Sequence, residues 1–521
     1  MKFWKSIPFY PLLLGFYPAL ALLATNSDQV RAPIAARTLI LSLIAAGILL
    51  LLARAVLRSW PRAALLAAWL LLFFSVYGQV YQFLELHPLG GFTLGRHTYL
   101  LPVWLALMVL GAWVILKKVP RPETPIGVLN LLTLGLVIVA AVQIISLQVR
   151  ADARFQNSPP AALLGEAYHL PAGQMPPDIY YIILDGYTRD DELLDSFGYD
   201  NSAFLEELQA MGFYVASCAQ SNYAQTELSL SSSLNSNYLE ALGDSFTPNS
   251  QDRSELWPLL KNSNTRQILE GLGYRTIAFE TGYYWIDWND ADYYYVSDQI
   301  NEMNALLGQG GMNAFEILYL RSTLFLAVLD LGQKVPSLNV ALTAQADYPY
   351  RASRERVLFT LEKLESHVPL ITSPKFVYAH LIIPHDPFIF APEGSWLPLE
   401  ANDPQGYCNQ VQCINQRILP ILQGIIENSS SPPIIILQGD HGSGISSPAG
   451  RMRILNAYYL PGAGKALLYD SISPVNTFRV VLNAYFGGEL ELLPDISYYS
   501  TYDDPYIFTE MPEARPGCQG R

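Results

Sequence analysis

Hydrophobic and polar positions divide the chain into two dissimilar stretches. Over the first 150 residues, apolar side chains run almost unbroken at about 8–24, 36–57, 63–84, 99–116 and 126–147. Each run approaches or exceeds the ~20 residues a helix needs to cross ~30 Å of hydrocarbon, so the pattern predicts five transmembrane helices. Lys2 and Lys5 ahead of the first run resemble a signal peptide, but Pro8, Pro11, Pro18 and the four further runs argue against one. No run carries a carboxylate in its middle, which speaks against a proton-coupled transporter.

From 151 to 177 the chain is rich in proline (Pro159, Pro160, Pro171, Pro176, Pro177) and reads as a linker. Beyond it, the β-prone run 179–184 ends in Asp185-Gly186, as a buried parallel strand and its exit turn would. A helix over 201–211 leads into a strand at 213–215, and a helix over 264–272 into a strand at 274–279. Further strands are predicted at 375–383 and 433–437, with a helix at about 410–427 between them. Strands alternating with helices predict an α/β domain over 178–510 with a mostly parallel central sheet, leaving a tail at 511–521. Residues 283–350 show no period that places them.

Charge sharpens this division. Residues 1–150 hold 12 Lys and Arg against three acids, a net of +9, whereas the remainder holds 20 against 43, a net of −23. The acidic polar portion excludes a nucleic-acid partner, and 51% hydrophobic residues exclude disorder. Lys2 and Lys5, then Arg54, Arg58 and Arg62, then Lys117, Lys118 and Arg121 fall in alternate connections, against Arg31, Arg37 and Arg96 on the other side. The positive-inside rule therefore predicts a cytoplasmic N-terminus and an extracytoplasmic domain after about residue 150. Glu85, His87, Arg96 and His97 then belong to an outer connection, read as a solvated interfacial loop or as a lipid head-group contact. An oxidising compartment permits disulfides, and Cys408 with Cys413 is the expected pair among Cys218, Cys408, Cys413 and Cys518.

In sheets of this kind, binding groups gather at the carboxyl ends of the strands. Asp185 ends the first strand, His380 and His385 accompany the exit of the 375–383 strand, and Asp440-His441-Gly442 follows 433–437. Hard oxygens beside imidazole suit a divalent metal such as zinc, manganese or magnesium. Each residue also has a plain structural reading: a turn-forming Asp185, a core His380. Thr226, at the start of a probable helix, is either a nucleophile favoured by metal and helix dipole or an N-cap. His385, between prolines, is a candidate for contacting a phosphate or a second metal. Arg189 is a candidate phosphate ligand, with a salt bridge to Asp190 or Asp191 as the alternative, and Arg451 or Arg453 is a candidate for anion binding, with plain surface charge as the alternative. The aromatics Tyr283 to Trp288 and Tyr293 to Tyr295 suit a sugar-stacking rim or, more plainly, buried and edge-strand packing.

The order Asp185, Thr226, His385, Asp440-His441 resembles the alkaline phosphatase and sulfatase superfamily. With membrane spans in front, the layout is similar to lipoteichoic acid synthases and lipid A phosphoethanolamine transferases. That resemblance implies one catalytic metal held by Asp185, Thr226, Asp440 and His441, with Thr226 as nucleophile and His385 assisting at the phosphate. Three departures stand beside it: the first-strand ligand is often Glu in those relatives, Cys218 lacks the Cys-x-Pro-x-Arg context of a sulfatase, and 443–459 contains no histidine. The resemblance implies a transferase in a bacterial inner membrane that moves a phosphoglycerol or phosphoethanolamine head group from a phospholipid donor to an envelope glycan or lipid acceptor. The rival readings are a phosphodiesterase or phosphatase, and a non-catalytic envelope-binding protein.

Overall fold

The computed structural model describes residues 7–27, 30, 32–87, 94–156, 168–170, 175–297, 311–332, 347–513 and 518. It divides into two compact units, one of residues 1–149 with 301–351 and one of residues 150–300 with 352–521.

The apolar runs of the first unit are helices: Tyr10–Thr25, Ala32–Leu57, Trp60–Leu86, His97–Lys117 and Ile126–Gln156. Four are long and apolar enough to cross a membrane; the first, at 16 residues, is shorter than the predicted span. Its start is tied down by Asn130, whose fully buried side chain accepts from the Tyr10 amide at 2.9 Å and donates to the Ile7 carbonyl at 2.9 Å. The amides of a helix's first turn have no partner within the helix, and in an apolar bundle a side chain must supply one. Trp69 and Trp104 join neighbouring helices by donating to the Met108 and Phe73 carbonyls, each at 2.9 Å.

The expected unbroken 178–510 domain is interrupted, because residues 301–351 cluster with the first unit. Helices Ala314–Ser322 and Phe325–Gly332 belong there: Phe315 packs with Leu23 and Ala35, and Ala327 with Tyr77 and Leu100. The linker expectation over 151–177 falls partly outside the described residues, and the preceding helix runs on to Gln156.

The second unit is built on a seven-stranded sheet. Its strands are β1 (Ile179–Leu184), β2 (Tyr214–Val215), β3 (Arg275–Phe279), β4 (Tyr293–Tyr295), β5 (Lys375–Leu381), β6 (Ile434–Gln438) and β7 (Asn456–Tyr459), in the order β2-β7-β6-β1-β5-β3-β4. The β1 strand pairs in parallel with β5 (Ile183 opposite His380) and with β6 (Ile183 opposite Gln438). Strands β3 and β4 continue in parallel, and β7 is antiparallel to both β6 and β2. Strands β8 (Tyr498–Tyr499) and β9 (Thr509–Glu510) form a separate pair.

Every residue of β1 is buried, as a central parallel strand covered on both faces requires. Tyr180, Ile182 and Leu184 pack with helices Ser202–Ala210, Tyr348–Ser366 and Pro404–Asn428. The alternating Tyr181 meets the opposite layer, bonding Ser233 of helix Thr226–Asn235 and packing edge-on against Phe478 of helix Pro474–Tyr485. Because β1, β5 and β6 run the same way, their carboxyl ends share one edge.

The cysteine expectation is overturned. Cys408 and Cys413 are free and buried within helix Pro404–Asn428, while Cys218 is bonded to Cys518. Five residues of α-helix turn the chain by roughly 500°, which aims the two side chains at different faces. The aromatic segment is largely core: Trp285 and Trp288 are buried, and Trp288 stacks on Tyr378 at 4.3 Å. Tyr293 to Tyr295 form the edge strand β4.

Candidate metal centre

Leaving β1, the chain turns sharply at Gly186, whose φ of +71° is a left-handed conformation that glycine adopts without strain. The turn leaves Asp185 buried at the sheet edge, its amide bonded to the Leu381 carbonyl at 3.0 Å and its carbonyl accepting from the His385 amide at 2.9 Å. The β1 and β5 exits are thereby laced together. Asp185 Oδ2 lies 3.1 Å from His380 Nε2 and Oδ1 lies 3.7 Å from His441 Nε2.

Asp440 and His441 follow β6 with close backbone approaches on either side. A Cβ on Gly439 would meet the Tyr187 carbonyl oxygen at 2.3 Å, and one on Gly442 would meet the Arg453 carbonyl oxygen at 2.8 Å, so both positions require glycine. The Asp440 carbonyl accepts from Ser229 Oγ at 2.7 Å and from Ser221 Oγ, and Asp440 Oδ1 accepts from the Gly186 amide at 3.0 Å. Ser221 and Ser229 therefore hold the loop.

Thr226 is the first residue of helix Thr226–Asn235, with Gln225 in the cap position. Its hydroxyl is turned to His441, Oγ1 to Nε2 at 3.2 Å. The residues on either side are clamped: buried Arg253 pairs with Glu227 and donates to Gln225 Oε1 at 2.6 Å. His441 Nδ1 bonds its own neighbour's carbonyl, Gly442 O, at 2.8 Å, which leaves Nε2 facing the site. Arg451 Nε donates to the Ala224 carbonyl at 2.7 Å, bringing Nη2 to 3.5 Å from His441 Nε2. His385 bonds the Asp386 carbonyl through Nδ1 at 2.7 Å, and its ring stands edge-on to His441 with centroids 5.9 Å apart.

The structure thus brings together Asp185, Thr226, His380, His385, Asp440, His441 and Arg451. Arg189 is not among them: its guanidinium is bound at 2.6 Å and 2.9 Å to Asp191, with Glu513 at 2.9 Å and the Ala219 carbonyl at 3.0 Å. The salt bridge accounts for this arginine.

Asp185, His385 and His441 can each direct a ligand atom into one space, as can Asp185, His380 and Asp440, with the atoms of each group within 4.8 Å of one another. Asp185 Oδ1 and Asp440 Oδ2 are buried and accept no hydrogen bond. Burying a carboxylate oxygen without a partner is costly, and a divalent cation between these oxygens and imidazoles removes that cost, so the donor set fits a metal. Burial raises the Asp185 pKa, but His385 beside it and the hydrogen bond to His380 outweigh burial and leave the carboxyl well below its usual range. Burial lowers His385, yet the Asp185 and Asp386 carboxylates hold it above its ordinary value. His441 moves down, by burial first and with Arg451 adding to it. A neutral imidazole is the form that ligates. The half-buried Tyr283 joins this neighbourhood: burial, with Asp185 and Asp386 adding, pushes its phenol up to about 12. Nothing in the sequence separated it from the aromatics around it.

The fold and site define an α/β domain carrying a candidate metal centre on a chain with membrane-length helices. No family model matches the chain, and no curated protein matches it. Solved structures do. Lipooligosaccharide phosphoethanolamine transferase A from Neisseria meningitidis, an integral membrane protein, is similar at 11% identity and a TM-score of 0.41, over 92% of this chain and 96% of that one. The C-terminal periplasmic domain of EcEptC from Escherichia coli, in complex with Zn, is similar at 11% identity and a TM-score of 0.41, over 66% and 95%. That of phosphoethanolamine transferase EptC from Campylobacter jejuni gives 11% identity and a TM-score of 0.36, over 61% and 91%.

Proposed function

We propose that this protein is a metal-dependent phosphoryl head-group transferase of the membrane, with its N-terminus cytoplasmic and its α/β domain outside. The donor is a membrane phospholipid, the acceptor a glycan or lipid of the cell envelope, and the group moved is of the phosphoglycerol or phosphoethanolamine type. One observation carries this reading: a threonine hydroxyl at a helix N-terminus stands 3.2 Å from His441 Nε2, beside two buried carboxylate oxygens that accept no hydrogen bond.

Asp185, Asp440 and His441 would hold a divalent cation with Thr226, and His380 or His385 would complete the set. Bound there, zinc, manganese or magnesium supplies positive charge that lowers the hydroxyl's pKa and polarises a phosphoryl oxygen. The chain's own residues do the rest. Thr226 Oγ1 attacks phosphorus, a Thr226 Oγ–P bond forms, and the bond from phosphorus to the diacylglycerol oxygen breaks, that oxygen leaving as the alcohol with the proton the threonine hydroxyl gives up. The acceptor hydroxyl then attacks the phospho-threonine, the Oγ–P bond breaks, and the acceptor's proton returns to Thr226 Oγ1. The helix N-terminus favours negative charge at Oγ1 in both steps. Arg451, anchored to the Ala224 carbonyl, presents its guanidinium to the transferred phosphoryl oxygens.

The test is the intact mass of the full-length protein after incubation with a bacterial phospholipid extract and zinc or manganese, beside a Thr226→Ala control. A head-group adduct on the unmodified protein alone supports the reading, and its mass names the donor. Lipid turnover without transfer to any envelope acceptor would favour a phosphodiesterase. Absence of adduct and of turnover with either metal favours a binding protein.

A further inference from the structure

Residues 313–332 follow β4 in the chain, yet they pack within the first unit, among the membrane-length helices. Asn313 caps the first helix of this segment with a reciprocal capping box to Glu316, and its Nδ2 donates to the Ile34 carbonyl at 3.1 Å. Glu316 pairs with Arg37 near the start of helix Ala32–Leu57. At the far end, Asp330 Oδ2 accepts from His97 Nε2 at 2.9 Å, where helix His97–Lys117 begins. Both ends are thus fixed at polar residues that open membrane-length helices.

Between those ends the segment descends. Tyr319 OH reaches Ser42 Oγ at 3.2 Å, five residues beyond Arg37, which is roughly 8 Å along a helix rising ~1.5 Å per residue. Leu324 packs on the same Tyr77, Leu100 and Ala327 cluster as Trp104, which lies seven residues beyond His97, or roughly 10 Å by the same rise. The Leu324 amide donates to the Phe74 carbonyl at 2.7 Å. At Gly78 the two backbones meet: a Cβ there would lie 2.1 Å from the Arg321 carbonyl oxygen. Such an approach leaves no room for lipid between segment and bundle.

Apart from Arg321, the large side chains turned away from the bundle are apolar. Leu318, Val328 and Leu331 are 41%, 45% and 41% exposed, comparable with Leu105 and Leu110 of helix His97–Lys117 at 40% and 56%. The acids of the segment are paired, and exposed Arg321 has a stem long enough to carry its charge toward the polar boundary. We infer that residues 313–332 form a helical hairpin sunk into one leaflet of the membrane, with Leu318, Val328 and Leu331 against lipid acyl chains. The segment's turn lies roughly 8–10 Å beyond the levels of Arg37 and His97, and its bond to Phe74 stands twelve residues, roughly 18 Å, before the Leu86 end of that helix, so the hairpin reaches past the interfacial boundary into the acyl region of one leaflet. The leaflet is the outer one on the orientation proposed above, and the inference rests on the long helices spanning the membrane.

The experiment places a nitroxide at Leu318→Cys, Val328→Cys and Leu331→Cys in the full-length protein, reconstituted in phosphatidylethanolamine and phosphatidylglycerol vesicles. Leu110→Cys and Leu194→Cys serve as span and outer-domain controls, and unmodified protein corrects for labelling of Cys408 and Cys413. Relaxation by oxygen should exceed that by an aqueous nickel chelate at all three positions, as at Leu110, and the reverse should hold at Leu194. A nickel-dominated signal at the three positions, with Leu110 oxygen-dominated, overturns the hairpin alone. Positions reached by neither agent are covered by protein, which also overturns it. A nickel-dominated Leu110 overturns the spanning reading itself.

Discussion

Asp440 offers the sharpest test of the metal centre, because Asp440→Asn separates its two oxygens. The amide oxygen of asparagine can still accept from the Gly186 amide, as Oδ1 does at 3.0 Å. What changes is Oδ2, buried and without a hydrogen-bond donor, 3.6 Å from His441 Nε2. The variant replaces a buried, unpaired carboxylate oxygen by a neutral NH2 that faces His441 Nε2 and the unpaired Asp185 Oδ1 as acceptors; since leaving a buried polar atom unsatisfied costs about 1–3 kcal/mol, in chelator the variant should be as stable as the parent or more stable by up to about that amount. With metal the order should invert. A ligand at 100 times its Kd stabilises the folded state by about 2.7 kcal/mol, and the variant should lose most of that gain. For a large domain this is a shift of about 5 °C in Tm, readable by tryptophan fluorescence during thermal unfolding of the full-length protein with chelator and then with zinc. Equal destabilisation of the variant under both conditions would refute the reasoning, since Asp440 would then be only a structural acceptor for Gly186.

Other expectations follow from the same geometry. Thr226→Ser should keep the head-group adduct while Thr226→Ala abolishes it, with circular dichroism showing both folded. Because the folded site holds the His385 pKa above its ordinary value of 6.5, the proton competes for the ring to higher pH than in a free imidazole. Zinc affinity by calorimetry should therefore rise with pH through that raised value. Metal-free stability should fall over the same window, because a raised pKa contributes fully only below the unfolded value, and His385→Gln should flatten both trends. Arg451→Gln should raise KM for the lipid donor about 10-fold or more while zinc affinity changes little, as expected for a lost charged contact worth ~1.5–3 kcal/mol. Cys408→Ser and Cys413→Ser should leave the shift between reduced and non-reduced gel mobility intact, whereas Cys218→Ser should remove it and lower stability by about 2–4 kcal/mol.

What could be read in the sequence was whatever depends on neighbours along the chain. Apolar runs located the membrane-length helices, and the buried runs leading to Asp185, to His385 past the 375–383 run, and to Asp440-His441 located three strand exits that parallel pairing brings to one edge. Contacts made across long separations were not legible. Glu316 and Asp330 lie in the stretch that no period places, and their partners Arg37 and His97 stand more than 200 positions earlier. Cys218 finds its partner 300 residues away, whereas the nearer pair lies on one helix at an angle that forbids bonding. Arg189 faced two candidate partners of opposite meaning, an anion and Asp191, and only the fold chose between them. Strand β7, four residues long and antiparallel, carries too little pattern to stand out from the loop that precedes it.

The bond between Cys218 and Cys518 encloses every strand of the main sheet except β1 and β2, and both strands of the small one. A chain emerging from the N-terminal side supplies Asp185 and Thr226 early, but the second sulfur only after His380, His385, Asp440 and His441 have all been delivered. A molecule carrying this bond therefore already contains its whole candidate ligand set, so the bond marks a chain made through to residue 518.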